Sequence, residues 1–128
     1  MNKDIQEISE LAQKYFDALY FGKSELFAEI FHPQAGLHCN TDDQHTTMDV
    51  ATYLELVAGR AAPAETNQPR RDEVLSIQIS SPTTAVLQTR ELFVPKLFTD
   101  DLTLMKFNGE WKIIAKIWHY DLVENLQD

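Results

Sequence analysis

The chain is 128 residues long and carries 11 Lys and Arg against 20 Asp and Glu, a formal net charge of −9. That length fits one domain, residues 1–128, able to bury a core and a modest cavity, and that charge excludes nucleic acid and anionic membrane as expected partners, because both need clustered cations. Hydrophobic residues at 44% exclude a wholly disordered chain, and a single cysteine, Cys39, excludes an internal disulfide framework.

The N-terminal run Met1-Asn2-Lys3-Asp4-Ile5 lacks the apolar stretch of a signal peptide, and no segment approaches the ~20 apolar residues that span a bilayer, so the cytoplasm is the expected compartment. Ile5, Ile8, Ala12, Tyr15 and Leu19 recur at three- and four-residue steps, widened by Leu11, Phe16 and Tyr20, which predicts an amphipathic helix over 4–20 stopped by Gly22. Ser24 reads as the N-cap of a short second helix holding Leu26, Phe27, Ile30 and Phe31, ended by His32-Pro33. Residues 36–40 and 44–48 read as a weak hairpin around Thr41-Asp42-Asp43. Asp49 then caps a third helix with Val50, Tyr53, Leu54 and Val57 on one face and Gly59 as its stop. Residues 60–72 contain two prolines and no periodicity, and read as a loop.

Strands then follow one another over 73–80, 84–94 and the two arms of a hairpin spanning Leu97 to Tyr120. Helices first and long antiparallel strands last imply an α+β fold, with helices packed on one face of a curved sheet. Asn108-Gly109 is a strong two-residue turn signal. It pairs Lys106 with Trp111, Leu104 with Ile113, Leu102 with Ala115, Asp100 with Ile117 and Phe98 with His119. This face is apolar until its far end, where Asp100 and His119 point toward the core. A tight bend at Pro95-Lys96 adds Glu91, Thr89 and Leu87 to the same face and places Arg90 opposite Asp101, itself paired with Lys116, in a charge ladder on the solvent side. The outer face would then carry Ile114, Trp118 and Met105, more apolar than a solvated surface should be, which leads us to expect a homodimer through it.

The segments Gln13–Gly22, Leu26–Ala35 and Asn108–Ile113 resemble the nuclear transport factor two-like superfamily, and Met48–Leu54 with Lys116–Asp121 are most similar to its lumazine-binding and SnoaL-like groups. The resemblance covers nearly the whole chain and implies a cone-shaped, cystatin-like fold. It does not imply one activity, because that superfamily includes isomerases, dehydratases, cyclases, binding proteins and inert dimerisation modules. By comparison with ketosteroid isomerase, Tyr15 falls where that enzyme carries its oxyanion-donating tyrosine. The enzyme's base and second acid fall at Cys39 and near Thr103, neither of which bears a carboxyl group, so steroid isomerisation by that route is not expected.

The candidate catalytic set is therefore His119, Asp100 and Tyr15, with Glu91 beside Asp100 as a carboxyl pair able to share a proton. Leu37, Cys39, Tyr53, Phe98, Leu102 and Ile117 complete the expected ligand-binding set with Glu91. His32, His38, Cys39, His45, Asp42 and Asp43 show no closed metal-ligand spacing, and neither metal nor cofactor is expected. Two main functional readings follow: a domain that binds a small planar molecule, pterin-like by the name of the resembling group, and an isomerase-, dehydratase- or cyclase-type enzyme moving protons on a carbonyl compound. A catalytically inert dimerisation module is the third.

Overall fold

Apolar spacing and capping chemistry set the helical layer. In the computed structural model, which describes residues 2–123, α1 (Lys3–Phe21) buries Ile8, Leu11, Ala12, Tyr15, Phe16, Ala18 and Leu19 along one stripe. The Asn2 side chain caps it by accepting from the Asp4 amide at 2.8 Å. Gly22 ends it at φ 66°, and a Cβ there would lie 2.8 Å from that of Ala62, so both the left-handed turn and the close approach require glycine. α2 (Ser24–Ile30) buries Phe27 and Ile30; Ser24 is already helical, and Lys23 occupies the cap position. α3 (Val50–Gly59) starts where Asp49 Oδ1 accepts from the Thr52 amide at 2.8 Å, as its sequence predicts.

Six strands form one curved, unclosed sheet in the order β2-β1-β6-β5-β4-β3, with the helices on its concave side. β1 (Phe31–Cys39) and β2 (Thr46–Asp49) flank a short 3-10 turn. β1 begins earlier than its sequence indicates because it pairs in parallel with the last strand from Phe31 onward. β3 (Asp72–Ser81), β4 (Thr84–Phe93), β5 (Lys96–Phe107) and β6 (Glu110–Leu122) are antiparallel neighbours. The segment read as a loop holds a 3-10 turn at Pro63–Thr66 and is anchored. Tyr20 donates to the Gln68 carbonyl at 2.7 Å, Val94 donates to Gln68 Oε1 at 2.8 Å, and Arg70 reaches Asp17 at 2.6 Å.

The β5–β6 register decides what the sheet presents to its concave side. Asn108 (φ 51°) and Gly109 (φ 83°) form the two-residue turn, and pairing proceeds as predicted through Leu104 with Ile113. Beyond that, Ile114 is an extra residue. Thr103 pairs with Ala115, Leu102 with Lys116, Asp101 with Ile117, Asp100 with Trp118, Thr99 with His119 and Phe98 with Tyr120. This β-bulge reverses the facing of every later residue of β6. The expected inward placement of His119 and Ile117 is therefore corrected, as is the expected outward placement of Trp118. His119 and Ile117 lie outside, and Lys116 and Trp118 turn inside. Met105 and Ile117, 37% and 56% exposed, are the most exposed of the large apolar side chains on the outer face of this hairpin.

The β4–β5 hairpin also differs from its expected pairing, but harmlessly for the site. Its turn is Val94-Pro95, and Arg90 pairs with Thr99 instead of Asp101. A two-residue slip preserves facing, so Glu91, Thr89 and Leu87 point inward as read.

Inserting one alanine between Ala115 and Lys116 shifts the later part of β6 by one residue and swings Lys116 and Trp118 outward while leaving Asp100 buried. We expect a loss of roughly 3–5 kcal/mol in urea unfolding, the range for stranding a buried charge. An unchanged midpoint would show that the inward facing of Lys116 does not hold the interior together.

Candidate functional site

The register lines up rows of inward side chains across the sheet. One row runs Ile77, Leu87, Leu102, Lys116, Leu37 and Met48, apolar except for the lysine. The next runs Thr89, Asp100, Trp118, Cys39 and Thr46, followed by Glu91, Phe98 and Tyr120. Toward α1 the rows are sealed: Leu37, Leu87 and Leu102 have no exposed surface. Toward α3 they open into a cavity of about 240 Å³ lined by Leu19, Met48, Tyr53, Leu56, Phe98 and Trp118, with Glu91, Asp100 and Lys116 as its inner polar groups and Arg60 and Lys96 also lining it.

The polar groups form one connected cluster. Tyr15, wholly buried on α1, donates from its hydroxyl to Asp100 Oδ2 at 2.5 Å. Lys116 Nζ lies 4.0 Å from the same oxygen and donates to Tyr53 Oη at 3.4 Å. Its ammonium also sits 4.8 Å from the centre of the Tyr53 ring, 5.3 Å from that of Tyr15 and 5.5 Å from that of Trp118. Asp100 Oδ1, Glu91 Oε2 and Thr89 Oγ1 are buried without a hydrogen-bond partner among the described residues when both acids are taken as ionised. A proton held on the acid pair gives it a donor.

Burial sets the charge states. Desolvation, and then the Asp100 carboxylate beside it, push the Glu91 carboxyl well above the usual range, so Glu91 tends to keep its proton. Desolvation acts to lower the Lys116 ammonium, but Tyr53, Asp100 and Glu91 outweigh it and leave its pKa raised. The Tyr15 phenol is driven well above its ordinary value by burial and then by Asp100 and Glu91. At 4.0 Å, attraction between Lys116 and Asp100 is about 4 kcal/mol for an effective dielectric near 20. Desolvating each ion costs several kcal/mol, so the pair adds little net stability, and its retention beside a cavity points to a use other than folding.

The residues singled out in the sequence separate into three groups. Asp100, Glu91, Tyr53 and Phe98 line the cavity, and Tyr15 stands behind Asp100. Leu37, Leu102 and Cys39 face inward but belong to the packed layer and do not line the cavity; the Cys39 thiol lies 3.3 Å from Thr41 Oγ1. His119 and Ile117 are outside, and His119 contacts Thr41 Oγ1 at 3.3 Å and Asp121 at 3.2 Å. Sequence reasoning missed Lys116, Arg60 and Lys96. The one available signal was the surplus of apolar residues on the supposed outer face: an exposed Trp118 beside a solvent-side Lys116 is the pattern that a one-residue bulge inverts.

A second, open depression, lined by Glu7, Glu10, Lys14, Glu29, Trp111 and Lys112, lies at the other end of α1. Its cations are already matched, Lys14 with Glu29 and Lys112 with Glu110, and it holds no buried acid.

Two measurements follow. The folded state holds the Glu91 proton more tightly than the unfolded chain, so this residue's contribution to stability falls as pH climbs above 4.5, its ordinary value, and levels off beyond the raised one. Glu91→Gln, neutral throughout, should lack that decline in urea midpoints measured across pH; identical slopes in variant and wild type would contradict it. Lys116→Met strands Asp100 and should lose roughly 3–5 kcal/mol near neutrality, recovered in large part by adding Asp100→Asn.

The family model described as Putative lumazine-binding matches residues 3–119. A curated protein, aldolase FrzH of Cladobotryum sp, is 26% identical over 110 residues, covering 82% of each chain. Among solved structures, an NTF-2-like protein of unknown function from Silicibacter pomeroyi aligns with a TM-score of 0.83 at 20% identity, over 94% of this chain and 100% of that one. A second from Shewanella baltica gives 0.82 at 21%, covering 93% and 94%. A ketosteroid isomerase-like protein from Erwinia carotovora gives 0.72 at 11%, covering 94% and 98%. With a family match across almost all of its length, this chain belongs to the Putative lumazine-binding family, and it shares its fold with the NTF-2-like proteins.

Proposed function

We propose that the cone binds a small carbonyl compound and moves a proton on it, with Glu91, Asp100 and Lys116 as the groups that touch the ligand and Tyr15 as the residue that positions Asp100. The observation that carries this reading is the buried acid pair: two carboxyls and an ammonium, all buried, line a cavity of about 240 Å³. A cavity just below the usual range for drug-sized ligands suits a small molecule. Protonated Glu91 donates to a carbonyl oxygen, the Lys116 ammonium stabilises the negative charge that develops there, and the Asp100 carboxylate accepts a proton from the adjacent carbon or hydroxyl. The proton leaving substrate goes to Asp100, and that gained by the oxygen comes from Glu91. Such bookkeeping fits enolisation and aldol-type bond cleavage alike, and the similarity to aldolase FrzH supports the second.

His119 has no part in this scheme, because the bulge directs it away from the cavity. The aromatic walls, Tyr53, Phe98 and Trp118, favour a second reading in which a flat heterocycle, pterin-like by the family's name, is held without turnover.

Exchange of the protons next to the carbonyl of short ketones and keto acids into heavy water, followed by NMR, separates these readings. Glu91→Gln and Asp100→Asn should slow enzyme-dependent exchange about 10²–10⁴-fold, while His119→Ala leaves it unchanged. Binding with no exchange above buffer in wild type would remove the proton-transfer reading and leave the binding one.

A further inference from the structure

Arg60 and Lys96 are the two cavity-lining cations that the acid–base cluster does not use. Arg60 follows the last residue of α3, and Lys96 opens β5 after the Val94-Pro95 turn. Both are half-buried, yet among the described residues neither has a carboxylate within ion-pair distance. Each instead lies over an aromatic ring, the Arg60 guanidinium 4.7 Å from the Phe93 centroid and the Lys96 ammonium 4.3 Å from that of Tyr120. Arg70, Arg90, Lys14, Lys106 and Lys112, by contrast, are all paired with acids. In a chain of net charge −9, acids are abundant, yet among the described residues none lies close enough to these two cations to neutralise them.

We infer that Arg60 and Lys96 form an anion-recognition subsite, so that the ligand carries a carboxylate or phosphate held there while its carbonyl group reaches Glu91, Asp100 and Lys116. The aromatic faces hold both cations in place without satisfying their charge, which leaves their N–H groups able to donate to an anion. Direction follows from the charges. The inner charges of Asp100 and Lys116 offset each other while Glu91 keeps its proton, whereas Arg60 and Lys96 add positive charge with no described acid beside it, so an anionic group is drawn to these two and the ligand is bound in one orientation. This inference rests on the carbonyl-ligand reading above and narrows its substrate class to small keto acids or phosphorylated carbonyl compounds.

The test uses the whole chain, short keto acids and their methyl esters, with binding followed through the Trp118 indole N–H signal by NMR. The acids should bind at least about tenfold more tightly than their esters, and added salt should weaken the acids alone. The Arg60→Gln/Lys96→Gln double variant should lose that preference while binding the esters as wild type does, and Arg60→Lys, which keeps the charge, should retain most of it. Phosphorylated hydroxyketones measured alongside distinguish carboxylate from phosphate as the anchor. Esters that bind as well as acids, a preference that survives the double variant, or no shift of Trp118 with any anion overturns the inference. Preference for acids without proton exchange would leave the anion subsite standing and remove the catalytic reading; exchange without that preference would do the reverse.

Discussion

An ammonium group, two carboxyls and two phenols lie buried together on the concave side of this sheet, and the rest of the site depends on how Lys116 is accommodated there. Its side chain enters a row that is otherwise apolar from β3 to β2. It is tolerated because Asp100 stands 4.0 Å away in the next row and Tyr53 offers a hydroxyl from α3. Removing either charge leaves the other in a low-dielectric interior, so the pair is fixed as a unit. Tyr15 then donates to the same Asp100 oxygen, which ties α1, α3, β5 and β6 to one cluster of polar atoms.

That cluster is placed by a small irregularity in the backbone. A bulge at Ile114 changes nothing about the number of strands or their order, but it exchanges the two faces of β6 from Lys116 onward. The same step removes Ile117 and His119 from the interior and supplies Lys116 and Trp118 in their place. It also aligns Trp118 beside Asp100 and Cys39, so the cavity gains an aromatic wall where the hairpin would otherwise have offered an aliphatic one.

The cavity thus has two chemically different parts. Its inner groups are an acid pair and an ammonium whose charges largely offset each other when Glu91 keeps its proton, and the role we propose for them is to handle protons. Arg60 and Lys96 are cations without acid partners among the described residues, and the role we propose for them is to choose and orient. Tyr53, Leu56, Phe98 and Trp118 complete the lining with apolar surface, which lowers the local dielectric and strengthens polar contacts made inside.

Helix spans, the Asp49 cap, the Asn108-Gly109 turn and the α+β layering could all be read from the chain, because each rests on local chemistry: three-to-four spacing, a capping oxygen, or a residue tolerant of positive φ. The family resemblance was legible for the same reason, since its motifs coincide with those elements. The inward facing of Asp100 and Glu91 was legible because it follows from alternation uninterrupted by the bulge, which a two-residue slip at Val94-Pro95 leaves intact, and that of Tyr15 because it falls on the apolar stripe of α1. Lys116 and His119 were exchanged in the sequence reading, since strict alternation over Trp111, Ile113, Ala115 and Ile117 makes an apolar stripe that no local rule contradicts. Only the tertiary structure decided that Ile117 would face outward and a lysine inward, because what makes that arrangement tolerable is a carboxylate on β5 and a phenol on α3. Those partners lie far from β6 along the chain and meet it only once the sheet has curved around the helices.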